Sequence, residues 1–110
     1  IASFVAGGGG AAYTTAKHAL AGFTKQLALD YARSGVQIFG IAPGAVKTGM
    51  TQADFNDNNG KMAEWVANET PVGRWADPIE IAELTLFLAS GKASYMHGEI
   101  LKIDGGWTLK

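Results

Sequence analysis

The chain has no cysteine, three prolines and two histidines among its 110 residues. Without cysteine there is no disulfide framework, no thiolate nucleophile and no cysteine-type zinc site, and a reducing, cytoplasmic setting is compatible. His18 and His97 stand far apart with no carboxylate cluster beside them, so no metal is expected. Charge is scarce as well: 17% of residues are charged, both signs are interspersed and the net charge is −1. That balance argues against the basic stripe of a nucleic-acid binder and against a polybasic membrane patch. No apolar run approaches the ~20 residues of a membrane span, and no charged n-region with an apolar h-region opens the chain.

What the chain has in quantity is apolar side chains, at 47%, and fifteen glycines. Its length suits one modest domain. So high an apolar share on so short a chain implies a surface that meets a partner. The opening Ile1-Ala2-Ser3-Phe4-Val5 reads as the end of an apolar strand and carries no initiator Met. The expectation is therefore the C-terminal part, residues 1–110, of a single longer domain.

The stretch Ser3 to His18, SFVAGGGGAAYTTAKH, carries the candidate chemistry. Tyr13 and Lys17 are four apart, which on a helix makes them neighbours roughly 5–6 Å apart at their side-chain origins. An ammonium beside a phenol stabilises negative charge on oxygen, which suits Tyr13 to general acid/base work. The same spacing also fits a packed tyrosine and a solvated lysine. Gly7 to Gly10 break strand and helix alike and let the backbone approach something closely.

Along the chain, residues 1–5 suggest a first strand, and Ala11 to Ala32 a helix of about six turns. That helix is apolar around much of its circumference, so one face is expected on a sheet and another against a second subunit. Val36 to Ile41 suggests a second strand, ending in Ala42-Pro43-Gly44, a turn at the strand's carboxyl end where open α/β sheets bind ligands. Residues 45–70 suggest two short helices, 51–56 and 61–68, reversed at Asp57-Asn58-Asn59-Gly60. Met50, Phe55, Met62 and Trp65 would make this hairpin an apolar lid, although a surface hairpin without gating fits equally. Asp77-Pro78-Ile79-Glu80 starts a further helix, with Asp as N-cap and Pro at the first helical position. Glu99 to Asp104 suggests the last strand. Strand, helix, strand implies a right-handed parallel crossover and an α/β fold, half of a doubly wound parallel sheet. Neither Gly-x-Gly-x-x-Gly nor Gly-x-x-x-Gly-x-Gly follows a strand.

Ser3, Tyr13-Thr14-Thr15-Ala16-Lys17, Pro43-Gly44-Ala45-Val46-Lys47-Thr48 and Ile103-Asp104-Gly105-Gly106, in that order, resemble the C-terminal half of the short-chain dehydrogenase/reductases, a Rossmann-type family. The subgroup most resembled is 3-oxoacyl-acyl-carrier-protein reductase; a sugar or polyol dehydrogenase is the alternative substrate class, and an inert assembly module the alternative for the chain by itself. The resemblance implies hydride transfer between NADP or NAD and a carbonyl or secondary alcohol, the carbonyl substrate being in one version carried on acyl-carrier protein. It assigns Tyr13 as the acid that protonates the carbonyl oxygen, Lys17 to stabilise the phenolate and bind the nicotinamide ribose, and Ser3 to hydrogen-bond the same oxygen. Pro43, Gly44 and Val46 would shape the nicotinamide site, and Thr48 would bond near the pyrophosphate. The family's serine usually stands a few residues further from the tyrosine than the ten positions here. Its glycine-rich cofactor loop is absent from these residues. Subunit contacts, giving a dimer or tetramer, would run through helix 11–32 and the last strand.

Overall fold

The computed structural model describes residues 1–110, in the order α1 (Gly10–Tyr31), β1 (Gly40–Pro43), α2 (Gln52–Asn56), α3 (Lys61–Glu69), α4 (Pro78–Ala89) and β2 (Ile100–Ile103). Single 3-10 turns at Gly49–Thr51, Asp57–Gly60 and Trp107–Leu109 precede α2, join α2 to α3, and close the chain. The strands pair in parallel, with Gly40 opposite Ile100 and Pro43 opposite Ile103. Parallel neighbours this far apart in sequence need a helical crossover, which α4 supplies.

The sheet is smaller than the sequence suggests. The strand expected at Val36 to Ile41 lies at Gly40–Pro43, because the residues before Gly40 face the turn ahead of β2 and not a strand. Gly98 N–H donates to Ile38 C=O at 2.8 Å, and Gln37 Nε2 donates to Ala93 C=O at 3.3 Å. The strand expected at residues 1–5 is a pair of turns, in which Phe4 and Val5 N–H donate back to Ile1 C=O at 2.8 and 3.2 Å. The segment meets the sheet at the Ile1 nitrogen, which donates to the Pro43 carbonyl at 2.8 Å, and at the Phe4 ring, whose centroid lies 4.9 Å from Lys102 Nζ of β2. Ser3 bonds instead to α1, on the Lys17 carbonyl at 2.7 Å, so this segment pairs with no strand. In β1, Gly40 and Gly44 N–H donate to Glu99 and Ile103 C=O at 2.9 and 3.0 Å. Alternation then points the nitrogens of Ile41 and Pro43 to the open edge, the one position where a strand accepts proline.

The helices follow their local signals closely. In α4, Asp77 N–H donates to Glu80 Oε2 at 2.8 Å, so the third helical residue reaches back to the N-cap, and Pro78 occupies the first turn. The α2–α3 reversal rests on Asn58 and Asn59, both left-handed at φ 50° and 58°. Asparagine tolerates that region better than other residues with a side chain. The hairpin is anchored at two places. Phe55 packs against buried Trp75 with ring centroids 4.8 Å apart, and Trp75 Nε1 donates to Ala63 C=O at 2.9 Å. Trp65 meets Trp107 edge-on at 6.2 Å, and Lys110 Nζ reaches Glu69 Oε2 at 2.7 Å.

Little of the chain is enclosed. Seven residues are buried, among them Ala28, Ala42, Trp75 and Leu88, while Leu20, Phe23, Leu29 and Leu86 are all more than half exposed. The accessible surface is 7399 Å². A compact monomer of 11.5 kDa exposes about 5,800 Å². The radius of gyration of 15.6 Å likewise exceeds the ~13 Å of a compact chain of this length. No helix is long and apolar enough to cross a membrane.

Candidate active site

Tyr13 and Lys17 lie on the first two turns of α1, and local helix geometry alone makes them neighbours. Lys17 Nζ sits 5.2 Å from the centroid of the Tyr13 ring, within cation–π range. The ring is half exposed and folds back along the helix toward Gly9, the residue before α1. A Cβ on Gly9 would come within 2.1 Å of Tyr13 Cδ1. Of the four glycines, this is the one whose missing side chain makes room, and what occupies the room is the tyrosine itself. The other three have nothing within 4 Å of a would-be Cβ.

Ser3 reaches the same place from the opposite side. Its Oγ donates to the Lys17 carbonyl at 2.7 Å, so the three residues singled out by the sequence share one locus although Ser3 is not directed at the phenol. They line a cleft of about 320 Å³ together with Pro43, Gly44 and Thr24. The cleft thus joins the start of α1 to the carboxyl end of β1, the position where open α/β sheets take ligands.

Gly44 lets the ends of the two strands meet, since a Cβ there would lie 2.8 Å from Asp104 Cα. Asp104 is fully engaged in the turn after β2: Oδ1 accepts from Gly106 N–H at 2.9 Å, and Oδ2 from Thr108 N–H and Oγ1 at 3.0 and 2.8 Å. Burial pushes its carboxyl upward. The bonds from Thr108 and Gly106, with the Lys102 charge, outweigh that and hold it below the usual carboxylate range. The Asp-Gly-Gly motif is therefore a turn that backs the cleft, not a group directed into it.

Val46 and Thr48 lie on the loop beyond Gly44, outside the cleft lining. Val46 forms an isolated parallel bridge with Ala76 through its neighbours, as Ala76 N–H donates to Ala45 C=O at 2.9 Å and Lys47 N–H to Ala76 C=O at 3.0 Å. That leaves the Val46 N–H without a protein partner, while its carbonyl accepts from Thr51 Oγ1 at 2.9 Å. Thr48 is exposed, and its hydroxyl stands 3.5 Å from that of Thr51, too far for a strong bond. A backbone donor is thus open on the loop beside the cleft, next to an exposed hydroxyl held only weakly by Thr51. Thr51 was not singled out from the sequence. The Thr-x-x-Thr spacing, a helix-capping pattern, was its one visible signal.

Each histidine bonds to a backbone carbonyl of α1: exposed His18 through Nδ1 to Thr14 at 2.9 Å, and His97 through Nε2 to Ala28 at 2.6 Å. Two of the expected lid residues, Phe55 and Trp65, are ring-packing anchors, and Met50 is 92% exposed. No apolar groove forms from them: Met62 and Trp65 line a cleft whose other walls include Asp54, Asp57 and Lys61.

The family model described as enoyl-(acyl carrier protein) reductase matches residues 1–108. A 2-dehydro-3-deoxy-D-gluconate 5-dehydrogenase of Bacillus subtilis is 43% identical over 96 residues, 87% of this chain and 37% of that protein. Among solved structures, a putative NAD(P)-dependent gluconate 5-dehydrogenase from Beutenbergia cavernae with bound NADP superposes with a TM-score of 0.91 at 41% identity, over 100% of this chain and 43% of that one. A short-chain dehydrogenase family protein from Francisella tularensis gives 0.90 at 36%, over 99% and 48%. The chain thus spans less than half the length of these relatives. With the ordered motifs, the cleft at the carboxyl end of β1 and these matches in agreement, the chain belongs to the short-chain dehydrogenase/reductase family.

Proposed function

We propose that these residues form the catalytic part of an NAD(P)-dependent oxidoreductase that interconverts a secondary alcohol and a carbonyl on a sugar acid or polyol. The observation that carries the reading is the meeting of Ser3, Tyr13 and Lys17 with Pro43 and Gly44 in one cleft. The residues fit a nicotinamide cofactor. The Val46 N–H is open for its amide, the exposed Thr48 lies on the same loop for its phosphate-bearing part, and Lys17, partly buried in the cleft with Tyr13, for a ribose. The dinucleotide, when bound, supplies or takes up the hydride.

In the reducing direction, Tyr13 Oη gives its proton to the carbonyl oxygen as negative charge develops there. Lys17, one turn away, stabilises the phenolate left behind. Ser3 exchanges its bond to the Lys17 carbonyl for one to the substrate oxygen, so that oxygen has two donors as it becomes an alkoxide. In the oxidising direction the phenolate takes the hydroxyl proton back.

The substrate class follows the relatives. An apolar acyl lid from Met50, Phe55, Met62 and Trp65 would favour an acyl substrate, whereas Phe55 packs on buried Trp75 and Trp65 stacks edge-on with Trp107 while remaining more than half exposed. The family model's description names an acyl-carrier-protein reaction, but two of the matched relatives carry names of sugar-acid dehydrogenases.

The surface excess supports the reading of residues 1–110 as part of a longer domain whose remainder, with the glycine-rich cofactor loop, covers much of it. The exposed apolar side chains of α1 support a homo-oligomeric contact in addition.

Purified full-length protein carrying Tyr13→Phe is expected to lose turnover of a sugar acid by ~10²–10⁴-fold while dinucleotide affinity, titrated by fluorescence, stays unchanged. Retained turnover refutes the role of Tyr13. Turnover of 3-oxoacyl thioesters but not of sugar acids refutes the substrate class.

A further inference from the structure

Residues 74–77 cross from the α3 side of the molecule to the start of α4, held by both side-chain and backbone bonds. Arg74 forms a two-pronged pair with Glu80, Nη1 to Oε2 and Nη2 to Oε1, both at 2.8 Å. Arg74 Nη1 also donates to the Trp75 carbonyl at 3.1 Å. Glu80 Oε2 takes the Asp77 N–H as well, at 2.8 Å, so one carboxylate holds both ends of the crossing. Trp75 is pinned the other way, into the hairpin, by Phe55 and the Ala63 carbonyl. Ala76, held between these anchors, spends both its backbone groups on the loop Ala45–Lys47.

We infer that Arg74 and Glu80 are positioning residues for the dinucleotide: their ion pair holds Ala76 in the extended conformation that bridges Ala45–Lys47 and thereby aims the free Val46 N–H. The inference rests on the dinucleotide reading above. Neither side chain lines the cleft, so neither is a catalytic residue. The pair persists across the working pH range, because the hydrogen bonds from Arg74, then from the Asp77 N–H, hold the Glu80 carboxyl at about 2.

A merely structural role and a positioning role differ in what they move. Arg74 is exposed, and solvent screening leaves exposed ion pairs little weight in folding. A loop that loses its brace, by contrast, presents its donor in several orientations, and ligand binding must then select one. In the full-length protein, Arg74→Gln and Glu80→Gln are each expected to weaken NADP or NAD binding about tenfold, equal to ~1.4 kcal/mol, by fluorescence titration of the Kd. The melting temperature should stay within a few degrees of the parent's. Lys110→Met, which removes another surface pair remote from the loop, should leave the Kd unchanged. Arg74→Lys keeps the charge and one contact; it should give intermediate weakening and serves where Arg74→Gln does not fold. Parent-like affinity in the Arg74 and Glu80 variants, or a fallen melting temperature with unchanged affinity, overturns the inference. A parent protein that binds neither dinucleotide overturns the functional reading and this inference with it.

Discussion

Replacing Gly9 with alanine should separate activity from stability. The backbone at Gly9 has φ −94° and ψ −6°, which alanine adopts without strain. The added Cβ would nevertheless stand 2.1 Å from Tyr13 Cδ1, 2.5 Å from Cγ and 2.8 Å from Cβ. Ordinary contact begins near 3.4 Å, so the ring must retreat by roughly 1.3 Å. Because the Tyr13 Cβ is itself too close, rotation about χ1 cannot relieve the clash alone and the first turn of α1 must give as well. Forcing the side chain off its rotamer costs about 0.5–1.5 kcal/mol. Alanine is a poorer N-cap than glycine but lowers unfolded-state entropy, and the two effects offset to within ~1 kcal/mol. Catalysis is far less tolerant, since ~1 Å of misplacement at a reacting group lowers rate by about 10²-fold. Full-length Gly9→Ala is therefore expected to show kcat reduced by ~10–100-fold, with dinucleotide Kd close to the parent's and a melting temperature lowered by only a few degrees. Gly8→Ala, with nothing within 4 Å of its Cβ, is the control and should keep parental kcat. Steady-state kinetics by nicotinamide absorbance, with calorimetry, makes the comparison. Parental kcat in Gly9→Ala, or loss of activity that tracks loss of folding, refutes the reasoning.

Asp104→Ala leaves the Gly106 N–H and both Thr108 donors without their acceptor and should cost about 1–3 kcal/mol, read as a lowered urea midpoint; an unchanged midpoint contradicts the capping role. Glu80 titrates at about 2 when folded against an ordinary 4.5, a depressed value. Its stabilisation is therefore fully present above pH 4.5 and lost as pH falls toward 2, and melting temperature followed across that window should fall less steeply in Glu80→Gln than in the parent. Equal slopes would sink the assignment.

How much was legible follows from the range of the interactions. Asp77-Pro78 at the start of α4, the run of α1 to Tyr31, and the reversal at Asn58-Asn59 rest on neighbours a few residues apart, and all were readable. The strands were less so: apolar Val36 to Phe39 look like strand, yet pairing depends on what lies beside them, and there the neighbour is a turn. Trp65 and Phe55 fitted a lid or structural anchors equally by sequence, and only their contacts with Trp107 and Trp75, 42 and 20 positions away, favour the anchors.

From sequence alone, the Tyr13–Lys17 pair and its place on a helix were determined, because i,i+4 geometry needs nothing beyond the helix itself. So was the order of motifs that marks the family. Three things waited for the tertiary structure: that Ser3 turns from a strand edge to the Lys17 carbonyl, that Gly9 makes room for the Tyr13 ring, and that Ala76 leaves the Val46 amide free. Each depends on a side-chain pose, or on backbone groups distant in the chain choosing one partner among several, and residue identity does not encode that choice locally.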